Sequence, residues 1–535
     1  MPSFNLVDRP WIPCRMASGD RKEVLSLAEA LARAREVREL SHPSPLVLAS
    51  LHRLLLAVLH RALDGPSSLE AWTSLWREGT WARPEVSGYL EKWRHRFDLF
   101  DPQRPFYQVP LLKDAQLHPI ALLAMESASG NNATLFDHNY DALPQAMAAG
   151  EAALYLLSRQ AYAIGFGKSQ PFYFTDATLT RGLTVLVMGD SLFETLALNL
   201  LVYDRLRPLP RQGDDLPAWE QEPPAEPNQS GTQLRGYVDY LTWLSRRVHL
   251  VPKDDETVEQ CQVMQNLKLA GEVLDPFKCY VKSSQAGFRP LSIDPDKALW
   301  RQSATLFHPA SEDVKRPEAF DWLDRLATSS QANDLGLRAT YRFDVFGFAT
   351  DPRKAASVTF WRHERLPLPV AYLGNAELWG TLSQALAIAE DAARKLYGAV
   401  RVAAYWLLFP EGDPGKASPK DWEKVKPLLD HAAAEHFYWP SLEAPFHRLL
   451  ANLPADATDD GAGGTYYGQR ELPAWNSTLR RQARRAFDRA LASLDGSPRA
   501  LKAAAKGRLS LNHGLKEVLP DQAETAAEGP HESTP

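Results

Sequence analysis

The sequence predicts an α+β protein, with a large mixed N-terminal part followed by a C-terminal bundle of helices. Two observations predict this class. Up to about residue 375, short strand-like runs alternate with polar and proline-rich connections, and the chain contains 40 Pro and 15 Trp. Beyond it, leucines and alanines recur at helical spacing in several separated segments. We therefore expect domains at residues 1–375 and 376–511, and a disordered acidic tail at residues 512–535.

The N-terminal part opens with a predicted β-hairpin that leads into a helix. Apolar residues flank its polar turn at Ser18–Asp20. The most hydrophobic stretch of the chain follows at residues 45–63, where two His and two Arg interrupt it. We expect a buried helix there rather than a membrane span. Ser44 is a predicted N-cap, and Pro45 suits the first helical turn.

The middle of the chain predicts long connections between short elements. A loop is expected over residues 121–145, followed by an alanine-rich helix at about 146–163. Residues 205–235 are rich in Pro, Gln, Glu and Asp, which is typical of an exposed connector. Short strands are expected further on, for example at Tyr237-Val238 and Lys278–Val281.

The C-terminal part predicts helices joined by loops. The longest pattern runs from Asn375 to Phe409 and ends at the breaker Gly412–Gly415. Further helices are predicted at about 419–435, 438–453, 473–494 and 498–510.

The charge and the cysteines narrow the class of protein. The chain has 60 Lys and Arg against 66 Asp and Glu, which disfavours a strongly basic, free-standing nucleic-acid binder but allows local basic patches. Its three cysteines show no ligand spacing, so we expect reduced thiols, with neither a zinc site nor a disulfide framework. The N-terminus lacks the pattern of a signal peptide, which favours a cytoplasmic protein.

A glycine motif at residues 165–169 ends like a phosphate-binding loop. Such a loop needs a glycine at position 162, where Tyr162 stands, and it should follow a strand rather than a helix. Nucleotide hydrolysis is therefore not expected. Two uses stay open: the glycines let the backbone approach a ligand while Lys168 adds charge, or they form a helix C-terminal cap beside a solvated lysine.

The predicted helix at residues 479–494 has one apolar face and one cationic face. Guanidinium forks suit phosphate groups, so the cationic face could follow a nucleic-acid backbone. The alternative is the solvated face of a bundle helix. This face, named the arginine strip, consists of Arg480, Arg481, Arg484, Arg485 and Arg489.

Other candidate sites are weaker. Asp351–Lys354 is a polar turn that could present its cations to a partner, or it could simply be a turn. His and Asp residues within 137–141 and 430–436 could serve in acid–base or metal chemistry, although isolated neighbours of this kind are usually surface or capping residues. No nucleophile elbow or zinc-protease motif occurs in the sequence.

Several segments, taken in order, resemble the CasA family, the large subunit of the type I-E CRISPR Cascade complex. The first is Phe4–Pro13, and the last lies in a helix signature near residue 434. The matching segments are Phe4–Pro13, Phe97–Phe100 with Pro105–Gln108, Gly165–Gly167, Gly347–Trp361 and Ala434–Tyr438.

The resemblance implies a fold and a role. The fold would be a mixed α/β N-terminal domain of unusual topology, followed by a four-helix bundle. The role would be that of a subunit without enzymatic activity or cofactor. It would recognise the protospacer-adjacent motif in double-stranded target DNA, help to open the duplex, and support recruitment of the helicase-nuclease that cuts. Its partners would be guide RNA, the other Cascade subunits, target DNA and that nuclease, with no membrane.

The resemblance also implies site residues. A loop that senses the RNA handle and the motif matches Phe136, Asp137 and His138. The family's glycine loop and motif-reading turn, together with a lysine from a β-hairpin near residues 262–268, match further positions. These DNA-binding positions are Gly165, Phe166, Gly167, Lys168, Lys268, Asp351, Arg353, Lys354 and Ala355.

Departures from the family pattern limit what is carried over. A Cys cluster that some members have before the hairpin is absent, so no metal is expected. Pro352 and Ala355 stand where some members use amides, which leaves the residue that wedges the duplex open. Two rival functions are retained: a free-standing metal-dependent hydrolase or nuclease, and a helical scaffold that binds only protein.

Overall fold

The computed structural model of the chain divides into two compact units. The first comprises residues 1–298 and 310–370, and the second comprises residues 299–309 and 371–535. A short segment before residue 310 therefore groups with the helical unit. The structure describes residues 2–19, 21–110, 115–125, 145–165, 175–204, 207–222, 230–284, 287–309, 311–350, 358–459 and 464–519.

Helices and strands are both abundant in the described residues. The helices are α1 (Leu27–Ala32), α2 (Pro45–Leu63), α3 (Leu69–Glu78), α4 (Pro84–Trp93), α5 (Ala149–Tyr162), α6 (Leu192–Asn199), α7 (Tyr237–Leu241), α8 (Ser303–Leu306), α9 (Glu318–Thr328), α10 (Ala376–Leu408), α11 (Pro419–Ala432), α12 (Glu435–Asn452), α13 (Glu471–Ala490) and α14 (Pro498–Val518). The strands are β1 (Ile12–Met16), β2 (Lys22–Leu25), β3 (Val37–Leu40), β4 (His118–Pro119), β5 (Met147–Ala148), β6 (Thr184–Met188), β7 (Arg246–Pro252), β8 (Thr257–Gln265), β9 (Tyr280–Ser283), β10 (Gly287–Pro290), β11 (Val314–Lys315), β12 (Thr340–Thr350), β13 (Val358–Pro369), β14 (Ala457–Asp459) and β15 (Thr465–Tyr467).

The first unit contains several small sheets rather than one large sheet. Their strand orders are β2-β1-β3, β10-β9-β11 and β13-β12-β6, and β8 pairs with β4, β5 and β7. The longest pairing joins β12 to β13 as an antiparallel hairpin. The turn of this hairpin, residues 351–357, lies outside the described residues.

The predicted N-terminal hairpin and helix are confirmed. Strands β1 and β2 pair antiparallel, with Ile12 opposite Leu25. A capping box then starts α1, because the Ser26 side chain accepts from the backbone of Glu29 while the Glu29 carboxylate accepts from the backbone of Ser26. Both bonds satisfy backbone donors that a helix start leaves open.

Helix α2 forms the centre of the first unit, as the sequence predicts. It packs against α4, α5, α6 and α7. Ser44 caps its N-terminus by accepting from the backbone N–H of Val47, and Pro45 occupies the first turn. Although α2 is long and apolar enough to cross a membrane, 83% of its apolar stretch is buried inside the protein. Burial of this kind supplies much of the hydrophobic stabilisation of a domain.

The predictions for residues 205–241 are partly wrong. Tyr237-Val238 begins helix α7 instead of a strand, because the buried Asp215 carboxylate accepts from the backbone N–H groups of Val238 (2.9 Å) and Asp239 (2.7 Å). The expected connector is not exposed throughout, since Asp215 and Trp219 are 1% and 2% exposed.

The second unit is built on the long helix α10. This helix starts where the sequence pattern predicts, with the Asn375 side chain accepting from the backbone N–H of Leu378, and it packs against α11, α12, α13 and α14. Helix α14 approaches it closely at Gly507. A Cβ added there would lie 2.8 Å from the Ala403 Cβ and 2.8 Å from the Phe487 ring. Only glycine permits this approach.

Helix α14 is longer than predicted. It runs to Val518, past the expected domain end at residue 511. Leu511 and Leu515 are buried one helical turn apart, and they extend the apolar face beyond the predicted boundary. Residues 520–535 of the expected tail lie outside the described residues.

The three cysteines are buried and unpaired with one another. They are Cys14, Cys261 and Cys279. Burial raises the pKa of each thiol to about 12. A thiol held protonated in this way reacts slowly, because the thiolate is the nucleophile.

Candidate nucleic-acid interface

The glycine motif at residues 165–167 begins residues 165–175, a segment named the glycine loop, and the described residues at its two ends are closely packed. The chain departs at Ala163–Gly165 and returns at Thr175. The backbone N–H of Ala177 donates to the Ala163 carbonyl (2.8 Å), and that of Leu179 donates to the Ala161 carbonyl (2.8 Å). A Cβ added at Gly165 would lie 2.6 Å from the backbone of Thr175. Glycine is therefore required at the first position of the loop.

A relay of hydrogen bonds links the glycine loop to the β12–β13 hairpin. The backbone N–H of Gly165 donates to Asp176 Oδ1 (2.8 Å), and Arg181 Nε donates to Asp176 Oδ2 (2.6 Å). Arg181 Nη1 then donates to the hydroxyl of Thr350 (3.2 Å), the last residue of β12 before the turn. Two predicted motif-reading elements are thus joined at their bases, although their sequence positions are far apart.

A buried lysine fixes the return segment of the glycine loop. Lys278 Nζ donates to the Thr178 carbonyl (2.8 Å). Burial lowers the pKa of Lys278 to about 8, and the nearby Asp275 carboxylate opposes this shift. The lysine therefore stabilises the backbone beside the loop and is not available at the surface.

The base of the β12–β13 hairpin is held by an ionic cluster. Arg365 Nε donates to Asp344 Oδ2 (2.9 Å), and His363 Nε2 lies 2.8 Å from the same oxygen. Arg365 Nη2 also donates to Glu39 Oε2 (2.8 Å) on β3. Because Asp344 and Glu39 are both buried, this cluster anchors the hairpin to a second sheet.

Lys268 is exposed at the end of the β7–β8 pair that is remote from its turn. It follows the last residue of β8, Gln265, which lies opposite Arg246 in the pairing. Its carbonyl accepts from the backbone N–H of Thr232 (2.7 Å). The side chain therefore projects from a connection after the strand, whereas the sequence comparison placed it in a β-hairpin.

The arginine strip lies along the exposed side of α13, opposite a buried face. Leu479, Ala483 and Phe487 are buried, while four of the five arginines are exposed. Arg480 is the exception, since it is half-buried and donates to the Leu519 carbonyl.

The contacts of the exposed arginines leave much of their charge uncompensated. Arg481 and Arg484 donate to neutral oxygens of Thr478 (3.3 Å) and Asn512 (3.2 Å). The guanidinium of Arg489 lies 5.2 Å from the centre of the Phe437 ring. Asp488, an acidic residue within this stretch of α13, pairs with Arg508 of α14 (2.6 Å). The strip therefore presents net positive charge to solvent.

Several candidate residues lie outside the described residues. They are Phe136, Asp137, His138, Phe166, Gly167, Lys168, Asp351, Arg353, Lys354 and Ala355.

The residues of the rival acid–base cluster at 430–436 lie at the surface and on two different helices. Asp430 and His431 are exposed in the last turn of α11, and His436 is exposed near the start of α12. In the part of the chain that the structure describes, no group of three or more His, Cys, Asp or Glu residues could hold a metal ion.

Comparison with known proteins identifies the family. The family model described as CRISPR-associated protein Cse1 matches residues 5–486. The chain belongs to the Cse1 family. It is 31% identical to the CRISPR-associated protein CasA/Cse1 of Thermus thermophilus over 530 residues, which cover 97% of this chain and 98% of that protein.

Solved structures of Cse1-type proteins have the same fold. The structure of Thermus thermophilus CasA (Cse1) superposes with a TM-score of 0.76 and 27% identity, covering 97% of this chain and 100% of that chain. A chain of a CRISPR RNA-guided surveillance complex superposes with a TM-score of 0.74 and 23% identity, covering 96% and 100%. The mixture of helices and strands is therefore that of Cse1 structures.

Sequence reasoning missed the residues that join the candidate elements. Asp176 and Arg181 follow the glycine loop, and Thr350 precedes the hairpin turn, yet none belongs to a local motif. The sequence offers one signal for these residues: the acidic Asp176 follows the glycine-rich segment, and Arg181 stands five positions after it. It could not indicate the partner on β12, because that contact spans 169 positions of sequence.

Proposed function

We propose that this Cse1-family chain is the large subunit of a type I-E Cascade surveillance complex. In this role it recognises the protospacer-adjacent motif in double-stranded DNA and helps to open the duplex for pairing with the guide RNA. It also supports recruitment of the helicase-nuclease, which does the cutting. The chain itself acts in the cytoplasm as a binding subunit rather than an enzyme, together with guide RNA and the other Cascade subunits.

One observation carries the motif-reading part of this proposal. Gly165, Asp176, Arg181 and Thr350 form a continuous hydrogen-bonded link between the glycine loop and the hairpin turn. Two segments that contact one short stretch of DNA must be held at a fixed separation. The link supports such a fixed separation, and the ionic cluster at Asp344 supports it further by anchoring the β12–β13 hairpin to β3.

The chemistry of these segments suits limited reading of DNA. Guide RNA reads the target by base pairing, so the protein needs to read only a short adjacent motif. Glycine backbone and lysine side chains fit the minor groove, whose pattern of donors and acceptors is degenerate. Tolerance of more than one motif follows from this degeneracy. Lys268 is exposed just after β8, and we propose that it contributes a further contact with DNA.

The helical unit is proposed to be the four-helix bundle that the family resemblance implies, and to hold a displaced DNA strand. The arginine strip supports this role, because its exposed guanidinium groups donate to neutral oxygens and so remain able to bind phosphates. The mixed α/β unit is in turn proposed to carry motif sensing and the contact with the RNA handle, with Phe136, Asp137 and His138 in that contact.

Reconstitution tests the proposal. The chain is assembled with guide RNA and the partner subunits, and binding of target duplexes with and without the motif is measured. Omission of the chain should abolish binding and opening of motif-containing duplex. Normal target location by the complex without this chain would contradict the proposal.

Point variants test the assigned residues in the same assay. Gly167→Asp and Lys354→Ala should each weaken binding to motif-containing duplex about tenfold, with less effect on a target that is opened beforehand. Gly88→Asp introduces the same carboxylate where a side chain has open space, and Lys22→Ala removes another exposed lysine of the same unit. Both serve as matched controls. Unchanged motif discrimination in both test variants would overturn the site assignment.

A further inference from the structure

Arg246, the first residue of β7, connects both ends of the glycine loop. Its Nη2 lies 3.2 Å from the Ala163 carbonyl oxygen and 3.1 Å from that of Ile164, on the departing side of the loop. The same nitrogen lies 2.9 Å from the carbonyl oxygen of Thr175, where the chain returns. One side chain therefore bonds to the backbone on both sides of the loop.

The surroundings of Arg246 are unusual for a cation. The residue is 3% exposed, and among the described residues its hydrogen-bond acceptors are all backbone carbonyl oxygens, including that of Ser245 (2.8 Å). Burial, together with the neighbouring charge of Arg159, lowers the pKa of Arg246 to about 9, and the charge of Asp176 opposes this shift. A buried cation without a hydrogen-bonded carboxylate is costly. Here the cation supplies a donor to the carbonyl groups of Ile164 and Thr175, which a buried backbone needs.

Helix α5 fixes the backbone of Arg246. The Gln160 side-chain oxygen accepts from the Arg246 N–H (2.8 Å), and the Gln160 amide nitrogen donates to the Arg246 carbonyl (2.9 Å). Arg246 cannot shift along α5 without breaking both bonds. The guanidinium is therefore held in one place by the helix from which the glycine loop departs.

We propose that Arg246 is a positioning residue that holds the two ends of the glycine loop in register and thereby sets how the loop reads the adjacent motif. The inference rests on the proposed function of that loop. Arg246 itself need not contact DNA, since the residue is buried. Nothing in the local sequence around Arg246 marks it for this role, because its acceptors at the ends of the glycine loop lie 71 to 83 positions away.

A lysine should not replace this arginine. A guanidinium presents several N–H groups in a planar fork, whereas the ammonium of lysine is a compact point charge at the end of a shorter side chain. Arg246→Lys keeps the charge but should lose contact with one side of the loop. Arg316→Lys is the matched control, because Arg316 is a buried arginine of the same unit whose guanidinium bonds to Asp321 and Asp324 instead.

Two readouts test the inference in the reconstituted complex. The first is hydrogen exchange at the amides of Ala177 and Leu179, which bond across the loop base. Arg246→Lys should speed their exchange at least about tenfold relative to β12 amides, and Arg316→Lys should not. The second is the affinity ratio between duplexes with and without the motif, which should fall about tenfold for Arg246→Lys, while binding to a pre-opened target is retained.

The outcomes separate the inference from the proposed function. Faster exchange together with lost motif discrimination supports the inference. Unchanged hydrogen exchange at Ala177 and Leu179 in Arg246→Lys overturns the inference, whatever the result for motif discrimination. Faster exchange with intact discrimination also overturns it, provided that Gly167→Asp abolishes discrimination. If Gly167→Asp leaves discrimination unchanged, the proposed function of the glycine loop fails first, and the positioning role falls with it.

Discussion

Arginine has opposite uses in the two units of this protein. At the base of the glycine loop, Arg246 is buried and its donors are consumed by backbone carbonyl groups. On α13, Arg481 and Arg485 are exposed, and their charge faces solvent. The guanidinium group serves as an internal brace in one place and as an available cation in the other.

The difference shows that residue type alone does not identify a binding surface. A count of arginines gives Arg246 and Arg485 equal weight, but only Arg485 has donors directed to solvent. What decides is burial together with the identity of the acceptors: carbonyl groups of the chain itself consume donors, whereas solvent leaves them free for phosphate. The following predictions test this contrast.

The largest effect is expected for the stability of the first unit. Arg246→Ala removes the guanidinium donor from the carbonyl groups of Ile164 and Thr175, whereas the Ala163 carbonyl keeps the Ala177 N–H, and this should lower the free energy of unfolding by on the order of 3 kcal/mol. Arg485→Ala should change it by less than about 0.5 kcal/mol, because the side chain is exposed. Thermal unfolding of both variants measures the contrast. Equal melting temperatures of the two variants would mean that Arg246 stabilises the fold no more than the exposed Arg485 does.

The next effect concerns DNA affinity. The triple variant Arg481→Ala, Arg484→Ala and Arg485→Ala removes three exposed arginines and should lower the affinity of the complex for target DNA by about a hundredfold at physiological salt. The slope of log affinity against log salt should fall by about 3, one for each lost phosphate contact.

A matched control is available on the neighbouring helix. Arg508→Ala removes an arginine whose charge is already paired with Asp488, so the salt slope should change little. If the triple variant and the control gave the same slope, the strip would be an ordinary solvated face.

The smallest effect is a pH dependence at Lys278. Because burial lowers its folded pKa to about 8 from an ordinary value of 10.5, the unfolded chain binds more protons between these values. Stability contributed through Lys278 therefore rises as the pH increases from 8 to 10.5. Relative to Lys278→Met, the wild type should gain about 2 kcal/mol between pH 7 and pH 9.5.

The pH prediction is measured as a difference between the two proteins. Melting temperatures of the wild type and the methionine variant are compared across this range, which cancels the titration of Tyr and Cys groups common to both. A gap that stayed constant with pH would mean that Lys278 titrates normally and is not a buried brace.

Helices with strong local signals were predictable from the sequence. Helices α2 and α10 combine a continuous apolar pattern with caps at Ser44 and Asn375, and their starts agree with the expectation. The secondary-structure prediction failed where contacts with distant residues determine the conformation. Tyr237-Val238 has β-forming residues, but the remote carboxylate of Asp215 caps it as a helix.

The same distinction between local signals and tertiary contacts applies to the residues of the candidate site. Gly165 was predictable, because a glycine pair after a helix is a local signal, and the arginine strip was predictable from helical spacing. The link through Asp176, Arg181 and Thr350 was not, and neither was Arg246, since these contacts join segments that are distant in sequence. The DNA-binding roles assigned to the candidate residues stay predictions.

The buried cysteines offer a practical consequence. With Cys14, Cys261 and Cys279 shielded and their thiol pKa values near 12, the native chain should be almost inert to maleimide dyes at neutral pH. A cysteine introduced on the surface outside the arginine strip, for example by Leu509→Cys, would therefore accept a fluorophore selectively without removal of the natural thiols. The motion of the helical unit during target capture could then be followed by single-molecule fluorescence.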